Sequence, residues 1–462
     1  MRVRSKRRTA RLLAAVLLAG TLAAIPARAA DDTATDYIIK YKQGAAWLQS
    51  DDRWPFEVVS KNTMQRLRFL GLLEWYEPDG VGELLDDAPA FYEPEQWNLN
   101  LVQASGAFRS GHHGGGVRIG VVDSGVNPHP DLGDRLLPGC NCMDDNAKTE
   151  DTADNYGHGT KVAGLIAGAG ERGYIGVAPE AEIVPLKITD GKELTVSAIC
   201  RAIYAGIDDF DCNILNLSLG VTGEFEALRE AVDYAEAQNV TIVSAVGNAG
   251  RTIVYYPAGY ESVIGVGAVD QNGDISSRSN HNESVFLTAP GIDVRSTTYA
   301  GAYSLCTGTS FAVPQVSGAT AVLLGIDPTL TPAQLRALLA RSAVDRGDED
   351  WDAYYGYGIL NVAGSVAALT GEEEPPDTPC SFLPESGPAR ELRNNTDAPL
   401  DVIYLLAAYD ERGVCLGVTS GALALPAHGT VAILPPPDGA RYGQFVYETA
   451  TMTPLAKERK TP

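Results

Sequence analysis

The stretch Val117-Arg118-Ile119-Gly120-Val121-Val122-Asp123-Ser124-Gly125 is an apolar run of strand length that ends on a carboxylate and a glycine. Its residues 117 to 122 predict a strand. Reading onward, Lys161 to Ile166 predicts part of a helix and Ile183 to Ile188 a second strand. Val196, Ile199, Ile203 and Ile207 recur at helical spacing, Ile214 to Leu217 is strand-like, and Phe225, Leu228, Val232 and Ala235 mark another helix. Val240 to Ala245 and Val263 to Val266 predict further strands, and Phe311 to Ile326 a long apolar helix. Alternation of this kind predicts an α/β domain over residues 93–370, a doubly wound, mostly parallel sheet with helices on both faces. In such sheets ligands sit outside the carboxyl ends of the strands.

The flanking segments differ in character. Residues 1–29 combine a basic start, an apolar run of about 14 residues from Leu12 to Ile25 and Ala27-Arg28-Ala29. This pattern reads as a secretory signal peptide. The run is too short for a membrane span, which needs roughly 20 residues. Residues 30–92 open with the alternating strand Asp36 to Lys42, with a second strand at Leu72 to Tyr76 and an exposed link at Asp86 to Pro89. The stretch is small for an independent domain and is expected to be α+β. Residues 371–379 join like charges to prolines and read as a linker. In 380–462 the segments Val402 to Leu406 and Thr430 to Leu434 alternate between Gly, Pro and Asn punctuation, which predicts a small all-β module.

The 36 Lys+Arg against 59 Asp+Glu give a net charge of −23. Removing residues 1–29 takes away seven positive charges and no negative ones, which lowers it to −30. Nucleic acid and anionic membrane both repel such a surface, so neither is expected as a partner. Seven cysteines are too few for a disulfide-dense scaffold, and an odd count leaves one thiol that cannot pair within a monomer. Cys380 and Cys415 are an expected disulfide of the C-terminal module, whereas pairing among Cys140, Cys142, Cys200, Cys212 and Cys306 stays open.

Three short motifs fall where the sheet argument puts function. Asp123 ends the first strand. His158 stands in Gly157-His158-Gly159-Thr160-Lys161-Val162-Ala163-Gly164, at a glycine-lined helix start. Ser310 stands in Gly308-Thr309-Ser310-Phe311-Ala312-Val313-Pro314, at the head of the apolar helix. Each alone has a plain structural explanation: a helix cap or turn former for Asp123, a structural histidine for His158, an N-cap for Ser310. Pro314 is expected in the first helical turn, where a missing N–H costs nothing. Together the three supply nucleophile, base and orienting carboxylate in the order Asp, His, Ser, one of the chain orders known for this triad.

On these motifs, residues 93–370, about three-fifths of the chain, resemble the subtilisin-like (subtilase) family of serine endopeptidases. The resemblance implies the doubly wound subtilisin fold and hydrolysis of peptide bonds through an acyl-enzyme on Ser310. It implies Asn248, in Ser244-Ala245-Val246-Gly247-Asn248, as the side-chain donor of the oxyanion hole. It further implies that Ser218, Leu219 and Gly220 form one wall of the pocket for the residue before the scissile bond, with Ala245, Val246 and Gly247 opposite. Register by Pro257, with a Tyr256-Pro257 bond that is cis in relatives, places Tyr255 at the pocket floor. A shortened pocket that disfavours large aromatic residues is the consequence. Cys306 reads as a buried structural thiol, and Lys161 replaces a histidine common in the family without bearing on the triad.

The chemistry requires no cofactor. Asp131 resembles a carboxylate that ligates structural calcium in many subtilases, but residues 168–173 lack the asparagine that commonly completes that site. One carboxylate falls short of the about six to eight oxygens calcium takes. The segment before the protease domain resembles an inhibitory propeptide, with self-cleavage expected between Leu84 and Tyr92. Expected partners are protein or peptide substrates and the chain's own propeptide, acting on a secreted monomer. The alternative, a catalytically inactive subtilase serving as a binding or signalling module, is disfavoured because Asp123, His158, Asn248 and Ser310 all remain. A third reading, with 380–462 as the main binding unit, lacks an aromatic platform or ligand motif.

Overall fold

The computed structural model describes residues 36–42, 45, 49, 55–79, 82–84, 96–143, 150–169, 174–298 and 301–371, and the backbone of seven strands between 380 and 459. The signal peptide and residues 372–379 of the linker lie outside them, as does the cleavage window beyond Leu84.

Seven strands form the central sheet: β1 Arg118–Asp123, β2 Cys140–Asn141, β3 Glu182–Lys187, β4 Ile214–Leu217, β5 Thr241–Ala245, β6 Ile264–Val269 and β7 Leu287–Pro290. Their order is β7-β6-β5-β4-β1-β3-β2, and every neighbouring pair is parallel. The chain starts in the middle with β1, passes to the outer edge for β2, returns to place β3 between them, then crosses back to β4 and builds the other side. That reversal opens a crevice at the carboxyl ends of β1 and β4. Asp123 is the last residue of β1.

A parallel sheet covered on both faces needs strands that are apolar without alternation, which explains the continuous runs. Neighbours Val121 and Val122 show the division. Val121 packs with the helices α1 His158–Ala167 and α4 Thr309–Ile326 on one face, and Val122 with α2 Val196–Asp208 and α3 Glu226–Ala237 on the other. α4 is the one helix among the described residues long and apolar enough to cross a membrane, and it is a core helix, 89% buried in its apolar window. Because α4 begins at Thr309, Pro314 falls in the helix interior rather than in the first turn. It therefore removes the N–H that would reach the carbonyl of Ser310. Ser218 Oγ donates to that carbonyl instead, at 2.8 Å.

Before this domain, the strands Glu57–Ser60, Asp36–Tyr41 and Leu73–Pro78 form an antiparallel sheet in that order, with the helix Lys61–Phe69 against it. Tyr37, Ile39, Tyr41, Met64 and Leu67 make a core of their own. Ile38, on the opposite face, joins Phe56 in packing on α2 and α3. Two carboxylates complete that contact. Glu77 accepts from the backbone N–H of Glu226 (2.9 Å) and Ala227 (2.8 Å), the first turn of α3, whose own N-cap Phe225 supplies no side-chain acceptor. Asp79 accepts from the N–H (3.0 Å) and hydroxyl (2.5 Å) of Ser197 in the first turn of α2.

Residues 371–462 form a separate unit of strands. Cys380–Phe382, Arg390–Asn394 and Thr430–Ile433 make one antiparallel sheet, and Cys415–Leu425, Leu400–Tyr409, Arg441–Glu448 and Pro454–Arg459 make another, each in that order. The Cys380–Cys415 disulfide expected there concerns side chains outside the described residues.

Candidate active site

Asp123 and His158 meet because β1 ends where α1 begins. Gly157, with φ +92°, turns the chain into α1, and His158 is the first helical residue. Gly159 lets the helix abut the strand end, since a Cβ there would collide with the carbonyl oxygen of Gly125 and lie 3.1 Å from Asp123 Cβ. The result is a wholly buried pair in which His158 Nδ1 lies 2.8 Å from both oxygens of Asp123. With Nδ1–H donated to the carboxylate, the tautomer leaves Nε2 as the basic nitrogen. Asp123 Oδ1 also accepts from the Ser124 N–H at 2.7 Å, which offsets part of the cost of burying the charge.

Ser310 stands in the first turn of α4, after Gly308 at φ +145°. Its Oγ is buried and has no hydrogen-bond partner among the described residues. The imidazole of His158 packs 5.2 Å from the ring of Phe311, the residue next to Ser310. Asn248 Oδ1 accepts from the N–H (2.9 Å) and hydroxyl (3.0 Å) of Thr309, on the other side of Ser310. Those donors fix the oxygen, so the NH2 is the donating side of the amide.

Ser218 touches the backbone of Ser310, as described, and is held in turn by Asn216 Nδ2 (3.0 Å), whose oxygen accepts from Ser317 of α4 (2.9 Å). The strand Leu219–Thr222 then runs outward with antiparallel partners on both edges: Tyr255–Tyr256 on one and Gly82–Leu84 on the other. The second register is Gly82 with Val221, Glu83 with Gly220 and Leu84 with Leu219. Ala245 ends β5, and Val246 and Gly247 continue from it toward Asn248. The Tyr255 ring lies between the two walls: a Cβ on Gly220 would come within 2.8 Å of it and one on Gly247 within 3.0 Å. The Tyr256–Pro257 bond is cis.

Among the described residues, the surroundings of Asp131 do not fit a calcium ion. Its buried carboxylate accepts from the Tyr303 hydroxyl, His129 Nδ1 lies 3.8 Å away, and its carbonyl accepts from Arg135. A hydroxyl donor, an imidazole and a guanidinium are not the oxygen ligands calcium takes. Cys306 Sγ is buried and donates to Val294 O at 3.0 Å, a structural thiol.

Two residues that sequence reading did not single out organise this site. Asp154 is a buried carboxylate with five donors: Ser124 Oγ (2.7 Å), the N–H groups of Tyr156 (3.2 Å), Gly157 (2.6 Å) and Thr160 (2.9 Å), and Thr160 Oγ1 (2.6 Å). It joins the residue after Asp123 to the first turn of α1, and so holds both halves of the pair. The legible signal was an aspartate four residues ahead of a histidine at a helix start. Asn280 accepts from Ala249 N–H (3.0 Å) and donates to Val246 O (3.0 Å) and Ile253 O (3.1 Å), bracing the Asn248 loop. Nothing in Ser279-Asn280-His281-Asn282 distinguishes it from a polar loop.

An imidazole–carboxylate pair beside a helix-head serine, at the switch point of a parallel sheet, is the arrangement of a serine hydrolase. The chain belongs to the subtilase family, whose profile matches residues 114–358. It is 37% identical over 272 residues to the minor extracellular protease Epr of Bacillus subtilis, covering 58% of this chain and 41% of that protein. It is 36% identical over 278 residues to subtilisin BL and 35% over 277 residues to subtilisin Savinase, both of Lederbergia lenta, covering 58% of this chain and 98% of each. The subtilisin-like domain is thus a serine-type endopeptidase with the α/β subtilisin fold.

Asp154→Ala is expected to lower kcat roughly 10²-fold with KM changed only a few-fold, because misplacing a catalytic group by about 1 Å costs that much. Steady-state kinetics beside a thermal melt checks this. A variant that melts earlier but turns over normally at low temperature would reduce Asp154 to a structural brace.

Proposed function

We propose that the chain is a secreted serine endopeptidase, made as a preproprotein, that cleaves extended protein segments through an acyl-enzyme on Ser310. The observation that carries this is the buried Asp123–His158 pair packed against Phe311, one residue from a buried serine hydroxyl with no hydrogen-bond partner among the described residues. His158 Nε2 takes the Ser310 proton as Oγ attacks the substrate carbonyl. Asn248 NH2 and the Ser310 N–H hold the resulting oxyanion, and one such donor is typically worth about 3 to 4 kcal/mol. The C–N bond then breaks, His158 gives its proton to the leaving amine, and water repeats the sequence in reverse. Asp123 stabilises the imidazolium throughout, and no step needs a metal or organic cofactor. Fluorophosphonate labelling tests the assignment: adduct on Ser310 in the wild type and none in Ser310→Ala is expected. An unlabelled wild-type protein would instead favour an inactive subtilase.

Substrate joins the sheet edge at Leu219–Thr222 by strand addition, which takes affinity from main-chain hydrogen bonds and tolerates many sequences. Gly82–Leu84 is the chain's own example. Its direction carries it from Val221 to Leu219, toward Ser218 and hence Ser310. The region 30–92 is therefore assigned as an intramolecular inhibitor that the enzyme cuts just past Leu84. Wild-type protein is expected to mature with an N-terminus between Leu85 and Tyr92, and Ser310→Ala to keep the whole segment. N-terminal sequencing in a protease-free system decides, and normal maturation of the variant would refute self-processing.

Glu77 and Asp79 supply side-chain acceptors to the first turns of α3 and α2, so Glu77→Ala or Asp79→Ala should each weaken inhibition by the added segment about 5-fold, near 1 kcal/mol per cap. Burial pushes both carboxyls above the ordinary carboxylate range. The docked segment thus holds these protons more tightly than the free one. Docking is strongest at acid pH and weakens as pH rises through the raised values. Inhibition constants measured across pH check the sign.

Tyr255 fills the space between Gly220 and Gly247, so residues before the scissile bond should be small or aliphatic rather than aromatic. Peptides with Ala or Leu there should be cleaved with kcat/KM roughly 10-fold or more above Phe, and Tyr255→Gly should reverse the order. A wild-type preference for Phe sinks the assignment.

A further inference from the structure

The reaction uses none of the cysteines, yet two of them sit together. β2 is the outermost strand of the sheet and consists of Cys140 and Asn141 alone, with Cys142 next in sequence. Residues two apart on extended backbone face the same way. Both thiols turn into the cluster of Val184, Leu186 and Ile188, and their Sγ atoms lie 3.0 Å apart. The backbone is clamped in this arrangement. Cys140 is in register with Leu186 and Asn141 with Lys187, the Cys142 N–H donates to Lys187 O (2.6 Å), and Arg201 donates to Cys142 O (3.0 Å) and Met143 O (2.6 Å).

We propose that Cys140 and Cys142 are oxidised to a disulfide that closes a small ring over Asn141. The oxidant is another disulfide, acting by exchange. One thiolate attacks it to give a mixed disulfide, and the second displaces the remaining sulfur, so one S–S bond forms, one breaks, and the oxidant leaves as two thiols. Both sulfurs are buried in the folded chain, so the exchange takes place before the edge strand docks. Thereafter the fold shields the bond from reductants. So short a loop removes little chain entropy, and the effect is local rather than global. The ring fixes the point at which β2 stops, on an edge whose open backbone groups otherwise offer a template for another chain. Asn141, Lys187 and Asp123 share one line of register, so the same ring pins the row of the sheet that ends at the site. This inference stands apart from the proteolytic assignment.

Full-length Ser310→Ala protein, which cannot digest itself, is purified from an oxidising compartment, denatured, alkylated without reductant and mapped with trypsin. Peptide 136–148 is expected unalkylated and lighter by two hydrogen atoms than its reduced form. It should regain both alkylation sites after reduction. In Cys140→Ala the remaining Cys142 should be alkylated directly, and if that variant does not fold the parent map still decides. Direct alkylation of both cysteines in the parent, or a cross-link from Cys140 to Cys212 or Cys200, would overturn the proposal.

Discussion

A carboxylate and an imidazole buried together and hydrogen-bonded to each other set the terms for the rest of this molecule. Burying Asp123 beside His158 costs several kcal/mol unless donors surround the charge and hold its geometry. β1 must then end where α1 starts, which a parallel sheet provides at the point where its winding reverses. Gly159 allows the close approach, Gly157 the turn into the helix, and Ser124 with Asp154 the remaining donors and acceptors. Asp154 is the economical part of this design. One carboxylate serves as cap for α1 and as tether to β1, so the two elements cannot drift apart without losing its buried bond from Ser124 Oγ.

Ser310 is tied to the strand Leu219–Thr222 by a defect in its own helix. Pro314 deprives the Ser310 carbonyl of its intrahelical donor, and the hydroxyl of Ser218 replaces it. Ser218 opens the strand along which an extended chain pairs, and Asn216 and Ser317 fix its orientation. The strand Leu219–Thr222 is thereby linked to the head of α4 through the hydroxyl of the residue that precedes it. An alanine at 314 would restore the helix and make that link redundant.

Much of this was legible before any coordinates. The long apolar strands and the helices between them emerged with boundaries shifted by at most three residues, because burial on both faces writes itself into sequence as unbroken apolar runs. β2 and β7 did not emerge. Two residues, or four ending on a proline, are too few to carry a period. Asp123, His158 and Ser310 stood out as candidates because each sits at an element boundary marked by a nearby glycine. Asp154, Asn280 and Ser218's bond to Ser310 were not, or only faintly, since Asp154 reaches Ser124, Asn280 reaches Val246, Ala249 and Ile253, and Ser218 reaches Ser310 across 27 to 92 residues of sequence. The strand Gly82–Leu84 belongs to the same class: nothing local about Gly-Glu-Leu says which edge it will meet.

Those long-range contacts also resolve an apparent conflict. A chain of net charge −23 should resist packing one acidic segment against another. Yet the N-terminal unit meets α2 and α3 through Glu77 and Asp79. The groups facing them are backbone N–H donors at helix starts, where the aligned peptide dipoles leave the equivalent of about half a positive charge. α3 has no side-chain cap of its own, so the carboxylate supplied by the N-terminal unit satisfies donors that would otherwise rely on water. Lys40, bound to both oxygens of Glu230 on α3, adds one ion pair of ordinary sign, and Trp75 Nε1 shares that carboxylate. Net charge governs encounter at a distance, whereas contact is decided by which partial charges meet. The same unit that occupies the sheet edge therefore also completes two helices of the domain beneath it, which couples the order of α2 and α3 to the presence of the segment.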